Sequence, residues 1–253
     1  MHMKKTYLIT LLGILVAGVA VAQSEETRSL SSFSRISAQE GIDVFIKAGN
    51  KEEARVIARS HDLDEVKTEV SGDRLKIHID NGRRWGNNGR VDIDVYVTYK
   101  SIEALSASSA ASIDSEGTIE ANGDFDIDVS SSGDIVAKIV GIDELEIEAS
   151  SSGDVRLNVE ADEVEARVSS SGDIEIEGKA RVQDIEASSA GDYDGYDLTS
   201  EEVEASASSG ASIKVYSTEK MRGRASSGGS VRYRGDPKYV NADSSSGGSV
   251  RKS

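Results

Sequence analysis

The stretch Ser130-Ser131-Ser132-Gly133-Asp134-Ile135 decides the fold, because it is one copy of a six-residue pattern that recurs along the chain. The pattern reads Ser, Ser, two small residues, Asp or Ser, and then an apolar residue or Tyr. Its eight copies begin at Ser108, Ser130, Ser150, Ser169, Ser188, Ser208, Ser226 and Ser245, which are 18 to 22 residues apart. A period near 20 residues, with no helical spacing of apolar positions, is typical of the coils of a β-solenoid.

Residues around each copy alternate between apolar and polar types, which assigns one set of side chains to the interior. Small or aliphatic columns stand three residues and one residue before the pattern, and a third stands at its last position. The third column contains Ile113, Ile135, Val155, Ile174, Tyr193, Ile213, Val231 and Val250. Coils stacked about 4.8 Å apart would bury these columns as ridges. We therefore predict an all-β parallel β-solenoid of about eight coils of 18–22 residues, with an interior narrow enough to need Ala, Ser and Gly.

The N-terminal third has a different pattern. Strand-like segments with larger side chains occupy residues 41–46, 53–59, 67–79 and 91–99, and Ser71-Gly72-Asp73 reads as a hairpin turn. Repeat arrays need caps, because an open terminal coil exposes unpaired backbone groups. We expect residues 29–100 to form an N-terminal β cap on a solenoid of residues 101–253, within one continuous domain of residues 29–253.

The chain begins like an exported protein. Lys4 and Lys5 precede an apolar stretch from Tyr7 to Val21, and Ala20-Val21-Ala22 matches a signal-peptidase site, so residues 1–22 are predicted to be a signal peptide. No later segment is apolar enough to span a membrane. The absence of Cys excludes disulfides, thiolate metal sites and a lipid-modified N-terminal cysteine. We expect a periplasmic, extracellular or cell-surface protein that is not a lipoprotein.

The charge excludes one class of partner. The chain has 45 acidic and 29 basic residues and a formal net charge of −16. Nucleic acid is therefore not expected as a partner, since its phosphates require a basic surface. The outward positions become basic from Arg222 onward, at Arg222, Arg224, Arg232 and Arg234. An acidic body with a basic end favours head-to-tail or surface contacts.

The serine columns offer a candidate chemistry that we interpret as structural. The first two positions of the pattern are Ser in every copy, and stacked hydroxyls could donate hydrogen bonds from one coil to the next. A nucleophilic Ser would need a neighbouring base. Beyond the predicted signal peptide the only histidines are His61 and His78, far upstream of the repeats. The fourth position is always Gly or Ala, which indicates a corner that requires a small residue. We predict no catalytic residues and no enzymatic activity.

Acidic columns provide a candidate metal site. The fifth position of four successive copies is acidic, at Asp134, Asp154, Asp173 and Asp192. Stacked carboxylates repel one another, and calcium would be the natural hard cation to relieve that repulsion. The alternative is a solvated face that keeps the protein soluble, with no cofactor at all.

The loop Asn81-Gly82-Arg83-Arg84-Trp85-Gly86-Asn87-Asn88-Gly89 contains the only Trp. Trp stacks on sugar faces, and Arg binds hydroxyls or acidic sugars, so Arg83, Arg84 and Trp85 are candidate glycan ligands. The alternative is a hairpin loop whose Trp covers the end of the core.

Several of these segments together resemble a known family. They are Gly41–Ile46, Val91–Val97, the stacked Ser-Ser-Ser-Gly-Asp-Ile coils and the closing Gly247–Val250. They are similar to the putative auto-transporter adhesin, head GIN domain family, over residues 33 to 250. The resemblance implies a right-handed β-helix-like fold, typical of Bacteroidetes-type bacteria and exposed to the periplasm or exterior. It transfers no catalytic residues.

These observations predict a non-enzymatic envelope or secreted β-solenoid with a binding, adhesion-like or structural role. Its partner would be an envelope protein or a glycan. Two alternatives stay open, a carbohydrate-processing or carbohydrate-binding β-helix protein and a calcium-stabilised structural module. Coils of 18–22 residues leave little loop from which an enzyme could build a substrate groove, which disfavours catalysis.

Overall fold

The computed structural model describes residues 24–80 and 91–253, and almost all of its regular structure is β-strand. The predicted signal peptide and the loop from Asn81 to Gly89 lie outside these residues. A short 3₁₀ helix spans Leu63–Glu65. The N-terminal strands are β1 Ser24–Ser29, β2 Arg35–Ala38, β3 Asp43–Ala48, β4 Glu53–Ala58, β5 Val66–Ser71, β6 Arg74–Ile79, β7 Ile93–Tyr99 and β8 Ala104–Ala107. The remaining strands are β9 Ser112–Val129, β10 Asp134–Ala149, β11 Asp154–Val168, β12 Asp173–Ala187, β13 Asp192–Ala207, β14 Ser212–Ala225, β15 Ser230–Arg234, β16 Tyr239–Ser244 and β17 Ser249–Lys252.

Each coil of the solenoid is the stretch between two serine turns. Strands β9 to β14 pair in parallel with their neighbours, and Ile135 stands opposite both Ile113 and Val155. The all-β solenoid prediction is therefore confirmed. The coil count is slightly lower than expected, because the eight turns enclose seven complete coils and β17 only begins an eighth. The right-handed sense stays a prediction.

The coils build two long faces. Face A contains the first part of each coil, just after the turn, and runs in the order β17–β15–β14–β13–β12–β11–β10–β9–β3–β7–β4–β1. Face B contains the last part of each coil and runs β16–β14–β13–β12–β11–β10–β9–β8–β2–β6–β5. The interior between the faces holds one continuous apolar core.

The N-terminal strands continue both faces. Strands β2 and β3 pair in parallel with β8 and β9, so they belong to the same stack as the coils. Farther out the direction reverses, with β4 antiparallel to β7 and β5 antiparallel to β6. Gly72, with a φ of 64°, occupies the turn of the β5–β6 hairpin, at the position expected from Ser71-Gly72-Asp73. No helix within residues 24–80 and 91–253 is long and apolar enough to cross a membrane.

The serine turns have a backbone geometry that the sequence pattern did not indicate. In the turn at Ser130, the second and third residues Ser131 and Ser132 have φ values of 51° and 61°, and the amide of Gly133 donates to the carbonyl of Ser130 at 3.0 Å. Two central residues with positive φ and this hydrogen bond define a type I′ turn. The same geometry recurs at all eight copies. Left-handed backbone costs about 1–2 kcal/mol per non-glycine residue, so the serine turns are individually strained.

Contacts between turns compensate for this strain. The amide of Ser132 donates to the carbonyl of Ser151 at 3.1 Å, and equivalent bonds join the following turns. A Cβ on Gly133 would lie 2.4 Å from the carbonyl oxygen of Ala107 in the previous coil, and Gly133 does not have a positive φ. Small size at the fourth position is therefore required by close stacking, as expected. The hydrogen bonds that join one serine turn to the next along the solenoid axis are made by backbone groups. Among the described residues, no side-chain hydrogen bond joins a serine of one turn to a serine of the next. The predicted hydroxyl ladder is wrong.

The three inward columns are buried as predicted, except in the last coil. Members such as Ile127, Ile147 and Ile185 are at most 1% exposed. At the C-terminal end Ala242 and Ser244 are exposed and Val250 is half-buried, because no further coil covers them. The sequence thus predicts the interior correctly up to the open end of the stack.

Candidate functional site

Two coils have irregular strand pairing on face A, which makes this surface uneven. Val136 pairs with Asp114 and Lys138 pairs with Thr118, so β9 places three residues opposite Ala137 alone. A second irregularity lies in β13, where Asp194 and Asp197 stand opposite Glu175 and Glu177. Extra residues in one strand of a parallel pair form bulges that rise from the sheet and re-aim side chains. The bulges in β9 and β13 therefore stand as two ridges across face A.

An open groove of about 660 Å³ lies between these ridges. Its floor is supplied by β10, β11 and β12, which pair with one another without irregularity along this part of face A. The floor residues are Val136, Ala137, Lys138, Arg156, Asn158, Glu175, Ile176 and Glu177. The walls are Ser115, Gly117 and Thr118 on one side and Asp194, Tyr196, Asp197 and Arg234 on the other. The groove was not predicted, since short coils were expected to leave no room for one.

The wall formed by β13 is held in place by contacts to the last coil. The guanidinium of Arg234 lies 3.8 Å from the centre of the Tyr196 ring, which is a close cation–π contact. The Tyr196 hydroxyl lies 2.5 Å from Oγ of Ser253, and the Tyr196 amide donates to Oδ1 of Asp194 at 3.3 Å. Nζ of Lys214 donates to Oδ2 of the same aspartate at 2.7 Å. The Tyr196 ring and hydroxyl thus contact residues of later coils, which places an aromatic side chain in this wall of the groove.

The floor combines paired polar groups with one unpaired cation and one exposed apolar side chain. Arg156 donates to Oδ2 of Asp134 at 2.9 Å, and this bond raises the pKa of the guanidinium above its usual value. Lys138 has no ion pair or ammonium hydrogen bond within the described residues. Beside it Val136 is 38% exposed, and it is one of only three large hydrophobic side chains exposed within residues 24–80 and 91–253. Val136 and Lys138 are two residues apart on one strand, so they place an apolar and a cationic side chain on the same side of the groove floor.

A second, more polar concavity of about 480 Å³ lies on face B beside the serine turns. Its central residue is Arg167, which donates to Glu146 at 2.6 Å and lies 3.3 Å from Glu165 and 3.8 Å from Glu148. The acidic columns of face B are therefore partly neutralised within the stack. The pKa of Asp184 is raised by burial and by repulsion from neighbouring carboxylates. The apolar residues that line this concavity, Ala149, Val168 and Ala187, are buried, and its one guanidinium is already paired, so we consider the groove on face A the better candidate site.

The four aspartates predicted as metal ligands are stacked in register. Asp154 stands opposite both Asp134 and Asp173, and Asp173 stands opposite Asp192. Burial, followed by repulsion from Asp192 and Asp154, raises the pKa of Asp173. Within the described residues, however, no group of three or more His, Cys, Asp or Glu side chains is arranged to hold a metal ion. The predicted stacking of these four aspartates is confirmed, and calcium binding by them stays a prediction.

The other candidate residues have simple positions. Ser131 and Ser132 are exposed at the turn, whereas both histidines lie in the N-terminal region. His78 lies 3.7 Å from Glu69, and Nδ1 of His61 lies 2.8 Å from Oγ of Ser60. The candidate glycan ligands Arg83, Arg84 and Trp85 lie outside the described residues, so their role stays a prediction. The 22-residue spacing from Ser108 to Ser130 was the one sequence signal that could have indicated the first bulge.

Comparison with known proteins agrees with this architecture. The family described as "Putative auto-transporter adhesin, head GIN domain" matches residues 32–158 and again residues 126–237. No curated protein sequence matches the chain. Among solved structures, "a putative adhesin" from Parabacteroides merdae has a TM-score of 0.81 at 16% identity and covers 91% of this chain and 96% of its own.

Two structures from Parabacteroides distasonis are also similar. A "putative adhesin" has a TM-score of 0.81 at 18% identity, covering 92% of this chain and 97% of its own. A "putative lipid binding protein" has a TM-score of 0.79 at 20% identity, covering 91% and 96%. At these identities the likeness shows the fold alone. Because the family matches extend over residues 32 to 237, the chain belongs to the putative auto-transporter adhesin, head GIN domain family.

Proposed function

We propose that the protein is an exported, non-enzymatic, adhesin-like protein of the cell envelope that binds a neutral glycan in the groove on face A. The observation that carries this proposal is the exposed Val136 beside Lys138, between two bulged ridges, in a groove of about 660 Å³. A groove of this size accommodates a few sugar rings rather than a large flat partner.

The chemistry of the lining favours a sugar. Successive coils place Lys138, Asn158 and Glu177 side by side at about 4.8 Å intervals, the spacing of paired strands. Amide, carboxylate and ammonium groups in a row can donate to and accept from the hydroxyls of a chain of sugars. Tyr196 and Val136 supply apolar contact for ring faces.

The charge of the lining favours a neutral ligand. Three basic residues, Lys138, Arg156 and Arg234, face four acidic residues. The acidic lining residues are Glu175, Glu177, Asp194 and Asp197. Because the two signs nearly balance, a strongly anionic ligand such as a phosphate-rich surface would gain little from long-range attraction.

The contacts within the groove support a binding role without catalysis. Asn158 donates to Glu177 at 2.6 Å and Lys214 donates to Asp194 at 2.7 Å, so both carboxylates already have partners. Among the residues that the structure describes, no His lines the groove, so Ser115 in its wall has no imidazole beside it to act as a base. A binding surface needs neither.

Two observations support the proposed cellular location. The predicted signal peptide of residues 1–22 would direct export, and the family that the chain belongs to is described as an auto-transporter adhesin. Cell fractionation followed by N-terminal sequencing tests this part. We expect the mature protein to begin at Gln23 in the periplasmic, surface or secreted fraction, and a cytoplasmic protein beginning at Met1 would contradict it.

A glycan array followed by calorimetry on the strongest hit tests the ligand. We expect the variant Lys138→Ala/Asn158→Ala to weaken binding at least tenfold, because both side chains are exposed or half-exposed groove contacts. The matched control is Lys76→Ala, which removes an exposed cation from β6 on face B, outside the groove, and should bind normally. Trp85→Ala, run on the same array, tests the separate loop prediction.

Three outcomes would contradict the proposal. Native protein that binds no glycan would remove the ligand class, and unchanged binding by the groove variant would place the site elsewhere. Phospholipid vesicles belong in the same series, because one similar structure is described as a lipid binding protein. Binding to vesicles but not to glycans, lost in the groove variant, would replace the sugar with a lipid.

A further inference from the structure

The C-terminal end of the solenoid is an open edge. Strand β16 pairs only with β14, and β17 pairs only with β15, so one side of each strand has no partner among the described residues. All six residues of β16 are exposed. Two of the three exposed large hydrophobic side chains of the described residues are here, Tyr239 at 72% and Val240 at 48%. Val240 stands opposite Met221 of the previous coil, which is buried. Val240 therefore occupies an interior position of the solenoid that no further coil of the described residues covers.

The N-terminal end is also bounded by strands with one free side. Among the described residues, the last strand of face A is β1, which pairs only with β4, and the last strand of face B is β5, which pairs only with β6. One carbonyl of β5, that of Val66, already accepts a hydrogen bond from the side chain of Arg28. Strand β4 is antiparallel to β7, and β1 is antiparallel to β4, so β1 runs in the same direction as the coils. Both ends of the stack therefore offer backbone hydrogen-bonding groups on the same two faces.

The two ends carry opposite charge. Residues 230–252 contain five basic and two acidic residues, a net charge of +3. At the other end, residues 24–29 and 62–74 together contain seven acidic and three basic residues, a net charge of −4. Two C-terminal ends would repel each other, and so would two N-terminal ends. A C-terminal end and an N-terminal end attract, which selects one arrangement of neighbours.

We propose that copies of this protein stack head to tail, with the open C-terminal coil of one copy docking on the N-terminal edge of the next. On face A, β17 would add to β1 in parallel, and on face B, β16 would add to β5, in the manner of β-strand addition. Tyr239 and Val240 would be covered by the incoming copy. After one such contact, each pair of copies still has a free N-terminal end and a free C-terminal end. The assembly therefore does not close and produces linear chains.

The test is sedimentation of purified protein over a range of concentrations at low and high salt, with charge-reversal variants at each end. We expect native protein to grow in mass with concentration at low ionic strength, and to dissociate at least tenfold more readily in 0.5 M salt (about three times the physiological ionic strength). The tail variant, Arg251→Glu/Lys252→Glu, changes the net charge of the C-terminal end from +3 to −1. The head variant, Glu25→Lys/Glu26→Lys/Glu69→Lys, changes the net charge of the N-terminal end from −4 to +2. Each alone should be monomeric, since its two ends then have the same sign.

Mixing the two variants should restore growth, as alternating chains in which opposite ends meet again. The control Lys179→Glu/Arg181→Glu makes the same change in net charge as the tail variant, but in the middle of the stack, and should associate like native protein. The substituted residues are exposed or half-exposed, and circular dichroism will show whether each variant is folded. Native protein that stays monomeric, a closed dimer that does not grow, or self-association that survives the tail reversal would each overturn the proposal.

Discussion

The hydroxyl of Tyr193 donates a 2.8 Å hydrogen bond to Oε1 of Gln183 inside the solenoid, where both side chains are fully buried. Nε2 of Gln183 donates in turn to Oγ of Ser200 at 2.7 Å. Gln183 stands in the register position that Val164 and Val203 occupy in the adjacent coils, so it replaces an aliphatic residue of the core. Burial raises the pKa of Tyr193 far above its ordinary value, which keeps the phenol protonated as a donor.

Tyr193→Phe should therefore destabilise the protein although it removes one atom. The change leaves a buried amide oxygen without a donor, which costs about 1–3 kcal/mol. Thermal unfolding followed by circular dichroism should show a fall in Tm of several degrees. The triple variant Tyr193→Phe/Gln183→Leu/Ser200→Ala should recover most of the loss, because it removes all three polar side chains of this buried network. A loss in the triple variant equal to or greater than that of the single variant would show that the three residues are not an isolated hydrogen-bonding unit.

Relieving the strained turns should stabilise the protein. Ser132, Ser152 and Ser171 are left-handed, with φ values of 60–61°, at the turn position that the chain itself fills with Gly at Gly210 and Gly228. Replacing all three by Gly should raise Tm by a few degrees, since each relieves about 1–2 kcal/mol of strain and loses part of that gain to unfolded-chain entropy. The control Ser130→Gly, at a position without positive φ, should lower Tm instead. A fall in both variants would show that strain in these turns is negligible.

Asp173→Asn should stabilise the protein at neutral pH and lose that advantage in acid. The pKa of Asp173 is raised by burial and by Asp192 and Asp154, so the folded state binds this proton more tightly than the unfolded state does. The native protein is therefore penalised above that pKa and gains stability as pH falls through it. We expect a Tm increase of about 1–2 °C at pH 7 that shrinks towards pH 4.

Asp162→Asn is the control, because the pKa of Asp162 is shifted in the opposite direction from that of Asp173. The bond from Arg181 lowers the pKa of Asp162, so this carboxylate contributes stability above its unfolded pKa and loses it as pH falls. The variant should be no more stable than native protein at pH 7. A neutral-pH gain for Asp162→Asn matching that of Asp173→Asn would mean that net charge, rather than the column, controls stability.

Arg35 should matter more than other surface arginines because it joins the N-terminal strands to the first coil. Its guanidinium lies 3.4 Å from Asp73, 3.4 Å from Glu103 and 3.1 Å from Asp126, three carboxylates on three different segments. Arg35→Ala should cost about 1–2 kcal/mol. Hydrogen exchange should show the loss locally, as faster exchange in β2 and β8.

Arg181→Ala provides the comparison for that variant. Arg181 makes a bidentate pair with Asp162, with both bonds at 2.8 Å, but the two side chains are about half exposed. Exposed pairs contribute about 0–1 kcal/mol, so this variant should be nearly neutral. Equal losses for both arginines would remove any special role for the joint at Arg35.

The repeat and its columns could be predicted because a solenoid imposes the same environment on every copy. Ile127, Ile147 and Ile185 are equivalent positions, and a buried column repeated seven times is visible in sequence alone. Strands β3 to β7 could be located for a similar reason, since their alternation and the turn at Gly72 are local signals, whereas β1 and β2 were not predicted.

The groove and the turn geometry could not be predicted, because both depend on departures from the repeat. Ser131 and Ser132 gave no sign of positive φ, since Asn-Gly is the usual type I′ signal and stacked backbone bonds replace that preference here. The bulge at Tyr196 is only one residue of extra length opposite β12, which spacing between turns does not resolve. Gln183 was missed as a core residue because its polarity hides its position in an apolar column.

The number of regular coils between the two bulges sets the length of the groove. Strands β10, β11 and β12 form the floor, and every additional coil of this kind would separate the ridges by one more strand spacing, about 4.8 Å. Duplication or deletion of one 19-residue unit, such as the segment from Ser150 to Val168, would lengthen or shorten the groove without altering either wall. The length of the groove can thus change in discrete steps, independently of the residues that form its two walls.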